Sequence, residues 1–338
     1  MNILGIETSC DETAAALLEV HDGRMHVLKN IVSSQISIHK KYGGVVPEVA
    51  ARQHAENIIP IIKKTLRKIK PDVIAVTSGP GLATALLVGV EVARTLSYAW
   101  NIPLVRTNHI EGHLYANWLT APSINAIKLP ALVLIISGGH TELVLMKQHG
   151  VYQLLGKTLD DAAGECFDKV GKMMGLEYPA GPQIGALARS GARNAISLPR
   201  PMLEHKNYSF SFAGLKTAVL YHLQKHPLKT RRERANLCAS FEQAATDVLV
   251  GKTVHAAKEY KVRTVIMGGG VSANTYIRES METALSREMP KTKFIKPALK
   301  YCTDNAAMIA AAGYFHAIKK DFTAWDKLVI DPTWELAQ

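Results

Sequence analysis

Apolar and polar residues follow each other in blocks along the chain, and one order of blocks occurs twice. Asn2–Glu7 is an apolar run, a polar turn with hydroxyl side chains follows, and Ala14–Val20 is apolar again. Two short apolar runs around a polar turn predict two strands joined by that turn. The same order recurs at Ala131–Ile136 and Glu142–Lys147, which predicts a duplicated α/β architecture.

Helical periodicity and further apolar runs lie between and after these units. Apolar residues three and four positions apart predict a helix from Pro47, and Pro60 is expected to kink or divide it. The other predictions are strands at 72–77, 102–106 and 264–267, and helices after 81, from about 109, over most of 160–260, from about 273 and at 306–316. We therefore predict two lobes, 1–127 and 128–338, with a helical insertion at about 160–260 and a final helix that packs on the first lobe.

The composition narrows the class of protein without choosing a partner. Of 338 residues, 47% are hydrophobic and 20% are charged, which is typical of a soluble globular protein and excludes a disordered one. Four widely spaced cysteines without a CxxC pair argue against a disulfide framework and a thiolate zinc site. The chain shows no signal peptide and no apolar run of membrane-spanning length, so we expect a cytoplasmic protein. A net charge of +11 favours an anionic partner: nucleic acid, a nucleotide or a membrane surface.

Three glycine-rich turns follow predicted strands, at 79–81, 138–139 and 268–270. Glycine lets the chain turn sharply and lets backbone N–H groups approach an anion. Any one of them can be only a tight turn, but three in a duplicated α/β chain indicate a nucleotide site. None fits GxxxxGK[ST], which excludes a P-loop, and none fits GxGxxG before a helix.

The segment HIEGH offers a candidate metal site. His109 and His113 lie four residues apart, about 40° around a helix, so both imidazoles can reach one cation. Glu111 lies about 200° around the helix from His109, which differs from the HExxH arrangement of zinc peptidases. Asp304 is the best carboxylate for a third ligand, and two imidazoles with one carboxylate suit non-haem iron. The alternatives are capping or core histidines and a helix N-cap at Asp304.

An acidic segment and three basic clusters complete the chemistry. Asp160 or Asp161 can cap the following helix, and Glu165 and Asp168 either belong to a solvated face or contact ribose hydroxyls. The basic clusters lie at 63–70, 229–234 and 291–300. They are either solvated helix faces or a surface for the RNA or DNA backbone.

Motifs along nearly the whole chain resemble those of the universal tRNA threonylcarbamoyladenosine transferase family, formerly called O-sialoglycoprotein endopeptidases. They are GIETSCDET (5–13), YGGVVPEVAARQH (42–54), SGPGL (78–82), HIEGH (109–113), SGGHTEL (137–143), DDAAGECFDKVGKMMGL (160–176), PAGP (179–182), FSFAGLKTAV (210–219), MGGGVSAN (267–274) and CTDNAAMIA (302–310). The motifs occur in the order found in the family, and their residues are similar to those of its bacterial and organellar branch.

The resemblance implies a fold and a reaction. The fold is the actin/hexokinase/Hsp70 (ASKHA) type, an α/β fold with two duplicated lobes around a nucleotide cleft. The reaction moves a threonylcarbamoyl group from threonylcarbamoyl-AMP to the exocyclic amine of adenosine at position 37 of tRNA that decodes ANN codons. Partners implied by the resemblance are a smaller paralogous actin-like subunit and a P-loop ATPase.

The resemblance also implies site residues. A divalent metal, most often Fe²⁺ with Zn²⁺ as the alternative, would be held by His109, His113 and Asp304. The substrate site would be lined by Ile135, Ile136, Ser137, Gly138, Gly139, Asp168, Gly181 and Asn274. Many members have an aspartate where this chain has Gly185, so more of a ribose contact falls on Asp168.

Asp11 and Glu12 are the candidate catalytic residues, because related kinases and ATPases keep catalytic acids on the first strand–turn–strand unit. Three other functions compete with the transferase. The evidence for a metallopeptidase is the pair of histidines in HIEGH. The evidence for a small-molecule kinase of the same fold is the pair of duplicated lobes. An Hsp70-like binding module is the third, although no peptide-binding domain follows the lobes.

Overall fold

A computed structural model describes residues 1–337 and divides into two compact units. Unit 1 contains Met1–Lys128, His149–Val151 and the chain from Pro297 onward, and unit 2 contains Leu129–Gln148 and Tyr152–Lys296. The C-terminal segment therefore belongs to unit 1. Among the described residues, no helix is both long and apolar enough to cross a membrane.

Strands and helices alternate along both units. The strands are β1 (Asn2–Glu7), β2 (Glu12–His21), β3 (Arg24–Ser34), β4 (Val73–Gly79), β5 (Leu104–Asn108), β6 (Ala131–Ile136), β7 (Thr141–Gln148), β8 (Val151–Lys157), β9 (Thr264–Gly268) and β10 (Lys293–Ile295). The helices are α1 (Ile36–His39), α2 (Pro47–Leu66), α3 (Ala83–Trp100), α4 (His109–Tyr115), α5 (Ala163–Met173), α6 (Gly181–Ala188), α7 (Ala213–Lys225), α8 (Arg231–Glu259), α9 (Thr275–Glu288) and α10 (Ala306–Ala317).

The two units contain sheets of the same topology. The first sheet has the order β3-β2-β1-β4-β5, and the second has the matching order β8-β7-β6-β9-β10. In each, the first strand pairs antiparallel with the second and parallel with the strand that returns after a helical segment. The α/β class and its internal duplication are confirmed.

Most predicted elements are present, with two kinds of error. Pro60 does not divide α2, which runs without a break from Pro47 to Leu66. Its buried face, which includes Ile58, Ile61 and Ile62, packs in the core of unit 1, and this packing outweighs one missing N–H. The strands β3, β8 and β10 were not predicted, because their residues are largely polar or half-exposed and lack an apolar run.

The alanine-rich helix α10 lies very close to the first sheet. A Cβ on Gly5 of β1 would lie 2.1 Å from the carbonyl oxygen of Ala306, and one on Gly313 would lie 2.3 Å from Ala75 Cβ. Small residues on both surfaces therefore permit the close approach. This packing fixes the start of α10, and with it the segment that carries Asp304.

Unit 2 buries its sheet under helices. Its core is formed by inward-facing residues of β6, β7 and β9 together with side chains of α5, α6, α7, α8 and α9. All six residues of β6 and all five of β9 are buried, as expected for central strands. Residues at the carboxyl ends of these two strands are therefore held on a rigid scaffold.

Candidate functional site

Three predicted metal ligands converge in unit 1. Their ligand atoms, from His109, His113 and Asp304, all lie within 4.8 Å of one another. Asp304 Oδ1 lies 3.1 Å from His113 Nε2 and 3.5 Å from His109 Nε2. Two imidazoles and one carboxylate at this spacing match the donor set of first-row divalent metals.

Local structure explains this convergence. The helix α4 begins directly after β5, where Asn108 Oδ1 accepts hydrogen bonds from Ile110 N and Glu111 N. The four-residue spacing then places His109 and His113 on one side of α4, with ring centroids 4.7 Å apart. Asp304 is not an N-cap, because Asn305 caps α10 by accepting from Met308 N.

The environment of the two histidines suits a cation. His113 is buried, its Nδ1 makes no hydrogen bond to a described residue, and its Nε2 has the Asp304 carboxylate as its neighbour. Burial lowers the pKa of His109, but the carboxylates of Asp304 and Glu7 outweigh burial and raise that pKa to about 9. An excess of carboxylate charge around buried imidazoles is the electrostatic setting in which a divalent ion is stabilised.

Glu7 is a residue of this site that sequence reasoning missed. Its Oε2 lies 3.0 Å from His109 Nδ1 and accepts from Thr77 Oγ1, while its Oε1 accepts from Ser9 N. Burial raises the pKa of Glu7, but the charge of His109 outweighs it, so that pKa is lowered. A carboxylate on Nδ1 holds the ring so that Nε2 faces the other ligands. The sequence feature that could have revealed Glu7 is its position as an acidic residue at the end of the otherwise largely apolar strand β1.

Glu111 belongs to a different cluster from the three converging residues. Its Oε2 lies 2.8 Å from His316 Nε2, and His316 Nδ1 lies 2.7 Å from Asp321 Oδ2. Burial lowers the pKa of His316, but the hydrogen bond to Glu111 and the nearby carboxylates raise it to about 9. This pairing differs from the HExxH arrangement, in which the glutamate serves as general base beside the metal.

The predicted acids Asp11 and Glu12 lie in the same unit as the metal candidates. Asp11 is buried at the turn after β1, and Glu12 opens β2. Burial, together with the charges of Asp304 and Asp11, raises the pKa of Glu12 to about 10. At neutral pH this carboxyl would therefore carry a proton, whereas an ordinary glutamate would be ionised.

The predicted substrate residues of unit 2 occupy the turn after β6 and helix starts around it. In that turn, Ser137 N donates to His140 O and His140 N donates to Ser137 Oγ, and neither bond uses the N–H of Gly138 or Gly139. A Cβ on either glycine would meet no described atom within 4 Å, apart from its chain neighbours. Ile135 and Ile136 are both fully buried in β6 and expose no surface to a ligand in this structure.

Asp168, Gly181 and Asn274 are linked to this turn through α5 and α6. Gly164 N, in α5, donates to Ser137 O at 3.1 Å, and Asp168 Oδ1 accepts from Ala180 N at 2.7 Å, just before Gly181. Asn274 Oδ1 caps α9. The structure thus brings the unit 2 set into one connected region. Asp168 and Asn274 already make internal hydrogen bonds there.

Glu242 is a second residue that the sequence did not reveal. It is 2% exposed on α8, accepts from Asn274 Nδ2 at 2.7 Å and pairs with Arg193 at 2.9 Å. A Cβ on Gly185 would lie 3.4 Å from Glu242 Oε1. A buried carboxylate therefore lies beside the position where many family members were expected to have an aspartate. Only tertiary packing relates these residues, since α6 and α8 are far apart in sequence.

Two sequence interpretations need correction. Neither Asp160 nor Asp161 caps α5, whose N-cap is Ala162. Asp160 instead accepts from Phe212 N and Ala213 N at the start of α7, and Asp161 pairs with Lys169 and Lys216. These acids therefore join α7 to the segment before α5, and the predicted capping of α5 by either of them is wrong.

The glycine turn at 79–81 does not present free amides to a ligand. Gly81 N donates to Pro332 O, and Leu82 N donates to Ser9 O. A Cβ on Gly79 would lie 1.8 Å from the carbonyl oxygen of Asp331. The prediction of an anion site is therefore wrong for this turn, whose glycines instead admit a close segment of the same chain.

Comparison with known proteins decides the family. Residues 26–311 match the family model described as TsaD, tRNA N6-adenosine threonylcarbamoyltransferase. The chain is 52% identical over 319 residues to the tRNA N6-adenosine threonylcarbamoyltransferase of Bacillus subtilis (strain 168), covering 93% of this chain and 90% of that protein. The chain belongs to the tRNA N6-adenosine threonylcarbamoyltransferase family. The protein of that name from Thermosipho africanus (strain TCF52B) is 49% identical over 319 residues, covering 93% of this chain and 94% of that protein.

Solved structures support the fold. A HypF from T. kodakarensis superposes with a TM-score of 0.64 at 12% identity, covering 97% of this chain and 50% of that chain. A full-length HypF in a phosphate- and nucleotide-bound form gives a TM-score of 0.59 at 13% identity, covering 96% and 47%. At such low identity the likeness shows the fold alone, and it confirms the predicted ASKHA type. As a member of the transferase family, the chain is an enzyme that modifies tRNA.

Proposed function

We propose that this chain transfers the threonylcarbamoyl group of threonylcarbamoyl-AMP to N6 of the adenosine at position 37 of ANN-decoding tRNA. The observation that carries the proposal is the identity of 49–52% to enzymes of that name over 93% of the chain. Their name specifies tRNA and adenosine N6. The donor and the choice of tRNA come from the family resemblance of the motifs.

His109, His113 and Asp304 are the proposed metal ligands, for Fe²⁺ or alternatively Zn²⁺. The spacing of their ligand atoms supports this role, and so does buried His113, whose Nδ1 has no hydrogen-bond partner among the described residues. A cation held there would supply Lewis-acid stabilisation to an oxygen of the donor. Glu7 contacts Nδ1 of His109 and would keep the proton on that nitrogen, so that Nε2, which faces the other ligands, is left to bind the cation.

The turn of Ser137, Gly138 and Gly139 is the proposed cradle for the adenylate. Its glycine amides stay outside the hydrogen bonds that close the turn, and the space beside each glycine is open. Backbone N–H groups of this kind stabilise charge that develops on a carbonyl or phosphate oxygen. Ile135, Ile136, Asp168, Gly181 and Asn274 complete the proposed substrate set through backbone and capping positions.

In the proposed reaction, adenosine N6 forms a bond to the carbamoyl carbon while the bond from that carbon to the phosphate oxygen breaks. AMP leaves, and the attacking amine gives up one proton. The aromatic amine is a weak nucleophile, so holding it against the carbonyl supplies much of the acceleration. We assign the acid–base work to Asp11 and Glu12. Asp11 would accept the proton that the amine gives up, and Glu12, which burial keeps protonated, would donate a proton to the leaving phosphate oxygen.

The proposed partners are a smaller paralogous actin-like subunit and a P-loop ATPase, and the proposed location is the cytoplasm. The basic clusters at 63–70, 229–234 and 291–300 are the proposed sources of phosphate contacts with tRNA. A net charge of +11 supports an RNA partner in general without choosing among the clusters.

His113→Ala tests the metal assignment and the transferase together. We expect loss of most bound metal by elemental analysis and a fall in transfer rate of about 100-fold or more, because two remaining ligands hold a cation weakly. Transfer is measured as threonylcarbamoyladenosine in digested tRNA after supplying threonylcarbamoyl-AMP. The exposed His255→Ala in unit 2 is the matched control. Unchanged metal content in His113→Ala would contradict the assignment, and phosphorylation of a sugar from ATP would favour a kinase.

A further inference from the structure

The last segment of unit 1 covers the glycine turn at 79–81, which has no role in the proposed chemistry. We call residues Leu328–Trp334 the C-terminal strap. Leu328 is buried in the core of unit 1, so the strap is anchored at its start. Asp331 N donates to Ser78 O at 2.7 Å, and Gly81 N donates to Pro332 O at 3.2 Å. The strap is thus held by backbone hydrogen bonds that do not depend on side chains.

Glycine at position 79 is what permits this approach. A Cβ there would lie 1.8 Å from the carbonyl oxygen of Asp331 and 3.3 Å from Trp334 Cβ. Any side chain at this position would therefore displace the strap. On the neighbouring strand, the guanidinium of Arg106 lies 4.0 Å from the centre of the Trp334 ring, a cation–π contact that holds the end of the strap.

The end of the strap contacts Asn108, the residue that caps the start of α4. Asn108 Nδ2 donates to the carbonyl oxygen of Trp334 at 3.1 Å. Asn108 is 1% exposed, and its Oδ1 accepts from Ile110 N and Glu111 N. A buried amide needs partners at both ends, so the Trp334 carbonyl fixes which way the Asn108 side chain faces.

We propose that the C-terminal strap is a positioning element of the metal site, which acts by fixing Asn108 and thereby the start of α4. This inference rests on the proposed role of His109 and His113 as ligands. The helix α4 has seven residues, too few to be stable by itself, so its position depends on its cap and its packing. A small displacement of its start moves both imidazoles together, and metal ligands tolerate little displacement.

Two shortened chains separate the strap from the residues beyond it. A chain that ends at Asp331 lacks the carbonyls of Pro332 and Trp334 but keeps buried Leu328. A chain that ends at Glu335 keeps every strap contact and is the matched control. The probe is Co²⁺ alone, titrated against a competing chelator and followed by its visible absorption, and α4 is followed by hydrogen exchange at 109–115.

We expect the chain ending at Asp331 to bind Co²⁺ about tenfold more weakly, because the buried hydrogen bond from Asn108 Nδ2 that orients the start of α4 is lost, with faster exchange in α4. The chain ending at Glu335 should match the wild type. Trp334→Ala should shift both measurements in the same direction, and Trp334→Phe should restore them, because a phenyl ring still covers Arg106. Trp325→Ala, whose ring contacts Tyr98 instead, should change neither.

Wild-type Co²⁺ affinity and wild-type exchange in the chain ending at Asp331 would overturn the proposal. His113→Ala is titrated in parallel to keep the two hypotheses apart. If His113→Ala binds Co²⁺ as the wild type does, the metal assignment fails. Whether the strap positions α4 is then decided by hydrogen exchange alone. Unchanged exchange rates at 109–115 in the chain ending at Asp331 would reject that role.

Discussion

The two units use one sheet topology for different chemistry. At the end of β1, unit 1 has the buried carboxylate of Glu7, and near it the proposed ligands His109, His113 and Asp304. At the equivalent end of β6, unit 2 has buried Ile136 and then two glycines beside open space. Duplication supplies the same strand ends twice. Side chains at those ends decide whether the end offers ligands for a cation or backbone N–H groups for an anion.

The glycine turns after β4 and β9 differ in a similar way. In unit 1, the turn at 79–81 is covered by the C-terminal strap and donates its amide to that strap. In unit 2, a Cβ on Gly269 would lie 2.4 Å from the carbonyl oxygen of Ile136, whereas one on Gly270 would meet no described atom within 4 Å apart from its chain neighbours. A glycine in such a turn therefore marks either a close approach of backbone, as at Gly79 and Gly269, or open space, as at Gly270, and only the fold distinguishes the two.

The sharpest test of this contrast compares two glycines of unit 2. Gly138→Val places its side chain in open space, so the fold should be unaffected while a bound adenylate is crowded. We expect weaker binding of threonylcarbamoyl-AMP by calorimetry and a transfer rate about 100-fold lower. Equal adenylate affinity and transfer rate in this variant would contradict the proposed cradle.

Gly269→Val is the opposite case and serves as the comparison. Gly269 has φ +88° and lies against the backbone of Ile136, so the variant should lose several degrees of melting temperature. If Gly138→Val lost stability to the same extent, the open space beside Gly138 would not explain its effect on transfer.

Gly185→Asp tests the buried carboxylate of unit 2. The added carboxylate would lie against buried Glu242 from a half-buried position, and the two like charges should lower the free energy of unfolding by about 1–3 kcal/mol. Gly185→Ala adds only the Cβ, 3.4 Å from Glu242 Oε1, and is the control for crowding. In urea unfolding, adding Glu242→Gln should recover part of the loss. A loss of equal size in Gly185→Ala would show that crowding, and not charge, is the cause.

The pH dependence of stability tests the acid of unit 1. The pKa of Glu12 is about 10 in the folded protein and near the ordinary 4.5 when unfolded. Between these values the folded state binds more protons, so the neutral carboxyl contributes stability that is fully present below the lower pKa and is lost as pH rises toward 10. We expect the melting temperature of metal-free Glu12→Gln to fall less between pH 5 and pH 9 than the melting temperature of the metal-free wild type. Parallel curves for wild type and variant would place the pKa of Glu12 in its ordinary range.

The smallest effect is expected at the surface of unit 2. Arg231 and Arg232 open α8, next to a capping box formed by Thr230 and Glu233. Charge reversal at both arginines should weaken tRNA binding and reduce its salt dependence by about 0.7–0.9 in log–log slope for each phosphate that is no longer neutralised. Adenylate binding should stay unchanged, since phosphate contacts position the RNA only. Identical slopes would remove this cluster from the RNA surface and favour a partner protein there.

Local pattern alone determined a large part of this protein. The apolar runs identified β1, β6 and β9, and the four-residue spacing of HIEGH placed two histidines on one side of α4. Such features depend on residues near each other in sequence, where the geometry of helix and strand is nearly invariant. The half-exposed edge strands β3 and β8 escaped prediction because their pairing with a neighbour, and not burial of an apolar run, makes them strands.

Tertiary structure alone decided which distant residues complete each site. Glu7 reaches His109 across 102 positions, Asn274 donates to Glu242 across 32, and Asn108 donates to Trp334 across 226. None of these partners has a sequence spacing that identifies it, because each pairing follows from which strand ends and helix starts the sheet brings together. The same reason explains the turn at 79–81. Its glycines can be read from the sequence, but the strap that requires them packs against the turn only in the folded chain.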